Sequence, residues 1–97
     1  MEIKFYSEVR VDKTFEEYVK EKVAKLGKFI FDEGKAEVYI KKEGPLFVSE
    51  ITIHSRPINV FLKEKAESLN ESIEELLNKV KTTLRKTHDK IIDKSHK

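Results

Sequence analysis

The hydrophobic period of this chain switches from two to 3.6, returns to two three times over, and ends at 3.6. That succession constrains the fold more than any other feature. Ile3, Phe5 and Val9 share one side of residues 2–9, and Glu2, Lys4, Tyr6 and Glu8 share the other. Side chains of a strand point alternately to opposite faces, so this segment is predicted to be a half-buried strand. Phe15, Val19, Val23, Leu26 and Ile30 then recur every three or four residues. At about 100° per residue they stay within a stripe about 80° wide, which predicts a helix from about Lys13 to Ile30. Asp12 stands where an N-cap carboxylate would accept an orphan backbone N–H. Gly27 weakens the far end of that helix, and Asp32-Glu33-Gly34 is a turn signal.

Three further alternating runs follow. Ala36, Val38 and Ile40 alternate with Glu37, Tyr39 and Lys41. Ser49, Ile51, Ile53 and Ser55 alternate with Glu50, Thr52 and His54; Ile58, Val60 and Leu62 alternate with Asn59, Phe61 and Lys63. Glu43-Gly44-Pro45 and Arg56-Pro57 separate them, and connections this short predict an antiparallel meander. Ser68-Leu69-Asn70-Glu71 has the form of a capping box. It opens a long helix whose stripe is Leu69, Ile73, Leu76, Leu77, Val80 and Leu84, thinning to His88, Ile91 and Ile92. The first βα unit needs a crossover, hence a parallel pair of strands. The predicted fold class is α+β: a βαβββα two-layer sandwich, a four-stranded mixed sheet with two helices on one face. Residues 1–97 make one domain, with a basic tail over about 92–97 that frays or projects beyond the core.

The chain has no cysteine, which excludes a disulfide scaffold and thiolate zinc sites and suits a reducing, cytoplasmic setting. No apolar run is long enough to span a bilayer, and the first residues lack the pattern of a signal peptide. No nucleotide-binding or hydrolase motif occurs, and the three glycines are isolated turn residues. His54, His88 and His96 lack metal-ligand spacing and read as surface histidines. Carboxylates are plentiful, but they sit where lysines can pair with them along a helix, as in Glu17/Lys20 and Glu21/Lys25. The expectation is a non-enzymatic protein with no cofactor, no metal and no small-molecule substrate.

Charge is informative only once it is located. The whole chain carries 20 basic and 18 acidic residues, yet residues 63–75 sum to −3 and residues 76–97 to +5. The helix dipole favours bases only within the last turn, so it leaves a basic stretch of more than three turns unexplained. On a helical wheel with Leu69 at ~0°, Lys79, Lys86 and Lys90 fall at about 260–300°, on one flank of the buried stripe. Lys81 and Arg85 fall at about 120–160°, on the other flank and outer side. Lys22, Lys25 and Lys28 step three residues at a time along one flank of the first helix, drifting by about 60° per step. Two adjacent helices can thus present basic rows to one groove-like surface. Lysine and arginine with few interleaved aromatics suit a phosphate backbone better than base readout; the alternative is a pair of solvated helix faces. Tyr6, Tyr39 and Phe61 point to the bare face of the sheet, where Glu2, Glu8, Glu37 and Glu50 would repel phosphates. Cross-strand aromatic packing is the expectation there.

The ordered set of segments resembles a known family. Val9-Arg10-Val11-Asp12 leads into Phe15-Glu16-Glu17-Tyr18-Val19 and then Lys22-Val23-Ala24-Lys25-Leu26-Gly27-Lys28-Phe29. Lys65-Ala66-Glu67-Ser68, Ile73 and Lys79-Val80-Lys81-Thr82-Thr83-Leu84-Arg85-Lys86 follow. Together they resemble the ribosome hibernation promoting factors, also called ribosome-associated inhibitors or sigma-54 modulation proteins, in their short form. The chain departs from the family pattern at Tyr6-Ser7-Glu8, where many members have a glycine followed by a basic residue, and at Asn70, commonly aromatic. The resemblance implies a fold like the double-stranded RNA-binding domain (dsRBD). It also implies a cytoplasmic stress or stationary-phase factor that binds the small ribosomal subunit, occludes the mRNA and tRNA channel, and inhibits translation. Lys22, Lys25, Lys28, Lys79, Arg85, Lys86 and Lys90 match the family's basic positions; with Lys81 they form the expected rRNA-binding set. The expected partner is small-subunit rRNA, with no membrane, and the free protein is expected to be a monomer. A stand-alone duplex-RNA binder and a protein-interaction regulator of a sigma factor remain as alternatives.

Overall fold

In the computed structural model, which describes residues 1–95 and side chains through Asp93, each change of period becomes a change of element. The order is β1 (Glu2–Ser7), α1 (Lys13–Lys25), a 3-10 helix (Leu26–Phe29), β2 (Lys35–Glu43), β3 (Leu46–Ser55), β4 (Ile58–Ala66) and α2 (Leu69–Ser95). The sheet order is β1-β2-β3-β4, with β1 parallel to β2 and the other two pairs antiparallel. The mixed sheet and the βαβββα order therefore match the sequence-based expectation.

Three boundaries differ, each for a local reason. β1 ends at Ser7, where the hydroxyl turns back to donate to the Val9 carbonyl at 2.6 Å. α1 ends at Lys25, five residues before the predicted Ile30. The chain tightens there into the 3-10 helix around Gly27, whose backbone entropy disfavours continued α-helix. α2 remains helical to Ser95, and the last two residues of the expected frayed tail, including His96, lie outside the described residues.

Both helices begin as predicted. Asp12 Oδ1 accepts the Phe15 N–H at 2.7 Å, and Ser68 Oγ accepts the Glu71 N–H at 3.1 Å. Such caps stabilise by about 1 kcal/mol each. Gly34, just before β2, adopts φ +62°, and a Cβ there would lie 2.6 Å from Ile30 Cδ1 and 3.3 Å from the His54 carbonyl. The backbone conformation favours glycine at this turn, and any larger residue would also displace the Ile30 side chain and crowd the His54 carbonyl.

The core lies between sheet and helices. Val19, Val23 and Leu26 meet Ala36, Val38, Ile40, Ile51, Ile53, Ile58 and Val60 from the sheet, and Ile73, Leu76, Val80 and Leu84 from α2. Burying one such side chain stabilises by about 1.5–3 kcal/mol, so this stripe, rather than helix propensity, holds the layers together. α1 lies over β1, and α2 lies over β3, β4 and the 3-10 helix. α2 has 27 residues; at about 1.5 Å per residue it spans about 40 Å. That accounts for most of the molecule's 49 Å long dimension.

The opposite face of the sheet is bare. Tyr6 and Tyr39 pair in register and stack with centroids 5.0 Å apart, the cross-strand packing expected. Phe61 is well exposed, and Lys41 pairs with Glu50 at 2.8 Å and Lys65 with Glu43 at 2.9 Å. Val48 is buried outside the main core; its register neighbours on this face are Lys41 and Lys65, whose aliphatic stems can cover it. The ion pairs on α1 correct one expectation. Lys20 pairs with Glu16 at 3.0 Å and Lys13 with Glu17 at 4.0 Å, rather than Glu17 with Lys20, since a four-residue spacing stacks the side chains better than three. The Glu21–Lys25 pair forms at 3.8 Å.

Candidate nucleic-acid interface

Burial of the two apolar stripes decides what the flanks of the helices can do. With both stripes on the sheet, the facing flanks of α1 and α2 leave a groove of about 180 Å³ between them. Lys22, Lys25, Lys28 and Lys81 line it, with Tyr18, Phe29, Glu74 and Asn78. The change to 3-10 geometry helps here. At three residues per turn, positions i and i+3 eclipse, which aligns Lys28 with Lys25 instead of letting the row drift.

The groove cations are held loosely. Lys25 reaches Glu21 at 3.8 Å between largely exposed side chains, a pair worth little in water. The Lys22 ammonium lies 5.6 Å above the Tyr18 ring and that of Lys28 5.2 Å above the Phe29 ring. Among the described residues, Lys22, Lys28, Lys81, Arg85, Lys86 and Lys90 make no ion pair. Exposed ammonium groups without fixed partners suit an incoming polyanion, because little has to be broken before they engage it.

One acid interrupts the groove. Glu74 Oε1 accepts the Tyr18 hydroxyl at 2.5 Å, bridging α2 to α1. That hydrogen bond, with burial and the nearby negative charge, holds the Tyr18 phenol above its ordinary value.

The predicted basic set is split rather than gathered. The structure brings Lys22, Lys25, Lys28 and Lys81 to one groove, and Arg85 lies one turn beyond Lys81 on the same flank. Lys79 is on the far flank, where it pairs with Glu64 of β4. The Glu64 carboxylate accepts its hydrogen bond and raises the Lys79 ammonium above the ordinary lysine value. Lys86 and Lys90 are exposed and share that far flank by helical position. The two rows therefore do not converge on one surface: one lines the groove and the other lies across α2 from it.

Aromatic groups at the end of the groove were missed by sequence reasoning. His88 lies parallel to Phe31, at 6° with centroids 5.0 Å apart, and edge-on to Phe29 at 6.1 Å. It is part of an aromatic cluster rather than a plain surface histidine. His54 Nδ1 lies 2.7 Å from Asn59 Oδ1 across β3 and β4. Among the described residues no three acidic or histidine side chains are grouped to hold a metal ion. No described helix is long and apolar enough to cross a membrane.

A family model described as sigma 54 modulation protein / S30EA ribosomal protein matches residues 3–92. The fold is similar to the crystal structure of the Thermus thermophilus Protein Y N-terminal domain. The TM-score is 0.79 at 21% sequence identity, over 90% of this chain and 99% of that one. It is also similar to a ribosomal subunit interface protein from Coxiella burnetii, at TM-score 0.73 and 14% identity, over 90% of this chain and 97% of that one. No curated protein sequence matches the chain.

Proposed function

The chain belongs to the sigma 54 modulation protein / S30EA ribosomal protein family, and on that premise we propose that it is a non-enzymatic, cytoplasmic factor that binds the small ribosomal subunit and inhibits translation during stress. The mechanism is steric. The folded domain occupies the mRNA and tRNA channel, held there by lysine and arginine contacts to rRNA phosphates.

The observation that carries this reading is the convergence of Lys22, Lys25 and Lys28 with Lys81, more than fifty residues later in the chain, on one groove. Phosphate contacts fix position without reading sequence, and each contact releases counterions and so adds affinity. Arg85 extends the row, while Lys86 and Lys90 offer a second flank to a surface that encloses α2. A ribosomal channel presents RNA on more than one side and suits such a split arrangement better than a single duplex groove does.

The test is co-sedimentation with purified small subunits. Arg85→Glu combined with Lys86→Glu is expected to abolish binding and translational inhibition with unchanged helical content. Unaltered binding at physiological salt would contradict the proposal. Equal affinity for a free RNA hairpin would indicate a stand-alone duplex binder instead. Capture of a nuclease-insensitive protein partner in place of the subunit would point to a protein-interaction regulator.

A further inference from the structure

We propose that Phe31, backed by His88, is a stacking platform for one unpaired RNA base at the end of the lysine groove. The inference rests on the RNA-binding reading above and adds base contact to what is otherwise a phosphate-binding surface.

The platform is continuous with the groove. Lys28 and Phe29 line the groove, and the Lys28 ammonium lies over the Phe29 ring. Phe29 packs against His88 in a T-shaped arrangement, and His88 lies flat against Phe31. His88 falls seven residues after Lys81, two helical turns along the same flank of α2. One path thus leads from the lysine row to the Phe31 ring.

Phe31 is placed for a ligand rather than for the core. It remains 47% exposed although His88 covers one of its faces, so its other face is open. It follows the 3-10 helix in a loop anchored to the end of β3: Asp32 Oδ1 accepts the Ser55 hydroxyl at 2.7 Å, and Asp32 Oδ2 accepts the Arg56 N–H at 3.1 Å. These bonds occupy the nearest carboxylate on the loop. Asp89 lies 3.4 Å from His88 Nδ1, so the neighbouring carboxylate on α2 is directed to the imidazole. An anchored ring with one face open and cations nearby matches what a nucleotide presents, a flat base joined to a charged phosphate.

The variants are Phe31→Ala, Phe31→Trp and Lys25→Glu with Lys81→Glu, each measured against small ribosomal subunits. Phe31→Ala is expected to weaken binding roughly 5- to 150-fold with the salt slope unchanged, because stacking releases no counterions. Phe31→Trp is expected to bind at least as well as the parent. The chain has no tryptophan, so that residue is also the sole indole reporter. Its fluorescence is expected to be quenched by a single-stranded oligoadenylate and not by an abasic strand of the same length and charge. Loss of binding in the lysine variant with none in Phe31→Ala would overturn the platform and leave the ribosome reading standing. Binding unaffected in every variant would overturn both. Quenching by the abasic strand equal to that by oligoadenylate would overturn base stacking even if Phe31→Ala binds weakly.

Discussion

The Tyr18 hydroxyl donates to the Glu74 carboxylate across the space between α1 and α2, joining residues 56 apart in the chain. The bond places a negative charge in a groove whose other charged lining residues are all lysines. Glu74→Gln keeps an acceptor for Tyr18 and removes the charge. It is expected to tighten RNA binding by about two- to fivefold at low salt, the scale of one exposed charge interaction, and to lose the advantage at high salt. Fluorescence anisotropy with a labelled RNA across a salt series measures it.

The same bond predicts an alkaline limb of stability. The Tyr18 phenol is raised from 10.0 in the fold, so the folded state holds its proton more tightly than the unfolded one. Its contribution is complete below pH 10.0 and is lost as pH rises through the raised value. Tyr18→Phe is expected to flatten that limb. At the acid end the sign reverses. Asp32 is lowered from 3.8, first by the Ser55 hydroxyl and then by the Arg56 N–H. Its contribution is present above pH 3.8 and is lost as pH falls through the lowered value. Asp32→Asn is expected to flatten this acid limb selectively, as read by urea melts at graded pH.

Ser49 of β3 and Ser72 of α2 form a buried polar contact inside an apolar core. Their hydroxyls lie 2.8 Å apart with both residues fully buried, and Ser72 donates on to the Leu69 carbonyl at 2.9 Å. Ser49 therefore donates to Ser72. Ser72→Ala leaves the Ser49 hydroxyl buried without its acceptor and is expected to cost about 1–3 kcal/mol. Ser49→Ala with Ser72→Ala is expected to cost less than the sum of the single changes, because neither partner is then left unpaired. A double-mutant cycle in urea unfolding measures the coupling.

The fold was legible in the sequence because its signals are local. Alternation within ten residues set each strand, short turns set the antiparallel pairs, and Asp12 and Ser68 marked the helix starts. The site was legible only in part. Helical spacing found every groove lysine, but it could not show that α2 turns Lys81 toward α1 and Lys79 toward β4, which follows from how α2 seats on the sheet. The Lys79–Glu64 pair and the Phe31–His88 stack join residues 15 and 57 apart, and no local periodicity encodes either. Val48 was missed because it is buried on the polar face, between charged cross-strand neighbours.

The most direct test of the central claim, that the groove between α1 and α2 holds rRNA phosphates, is the salt dependence of affinity for purified small subunits. Three chains are compared: the parent, Lys25→Ala with Lys81→Ala, and Lys79→Ala. The parent's log affinity is expected to fall linearly with log salt. The groove double variant is expected to bind more weakly, with a slope shallower by about 1.4–1.8, since each phosphate contact contributes about 0.7–0.9. Lys79→Ala is expected to change the slope by much less, because Glu64 already neutralises that ammonium. Three coincident lines, or a parent line that is flat, would contradict the account.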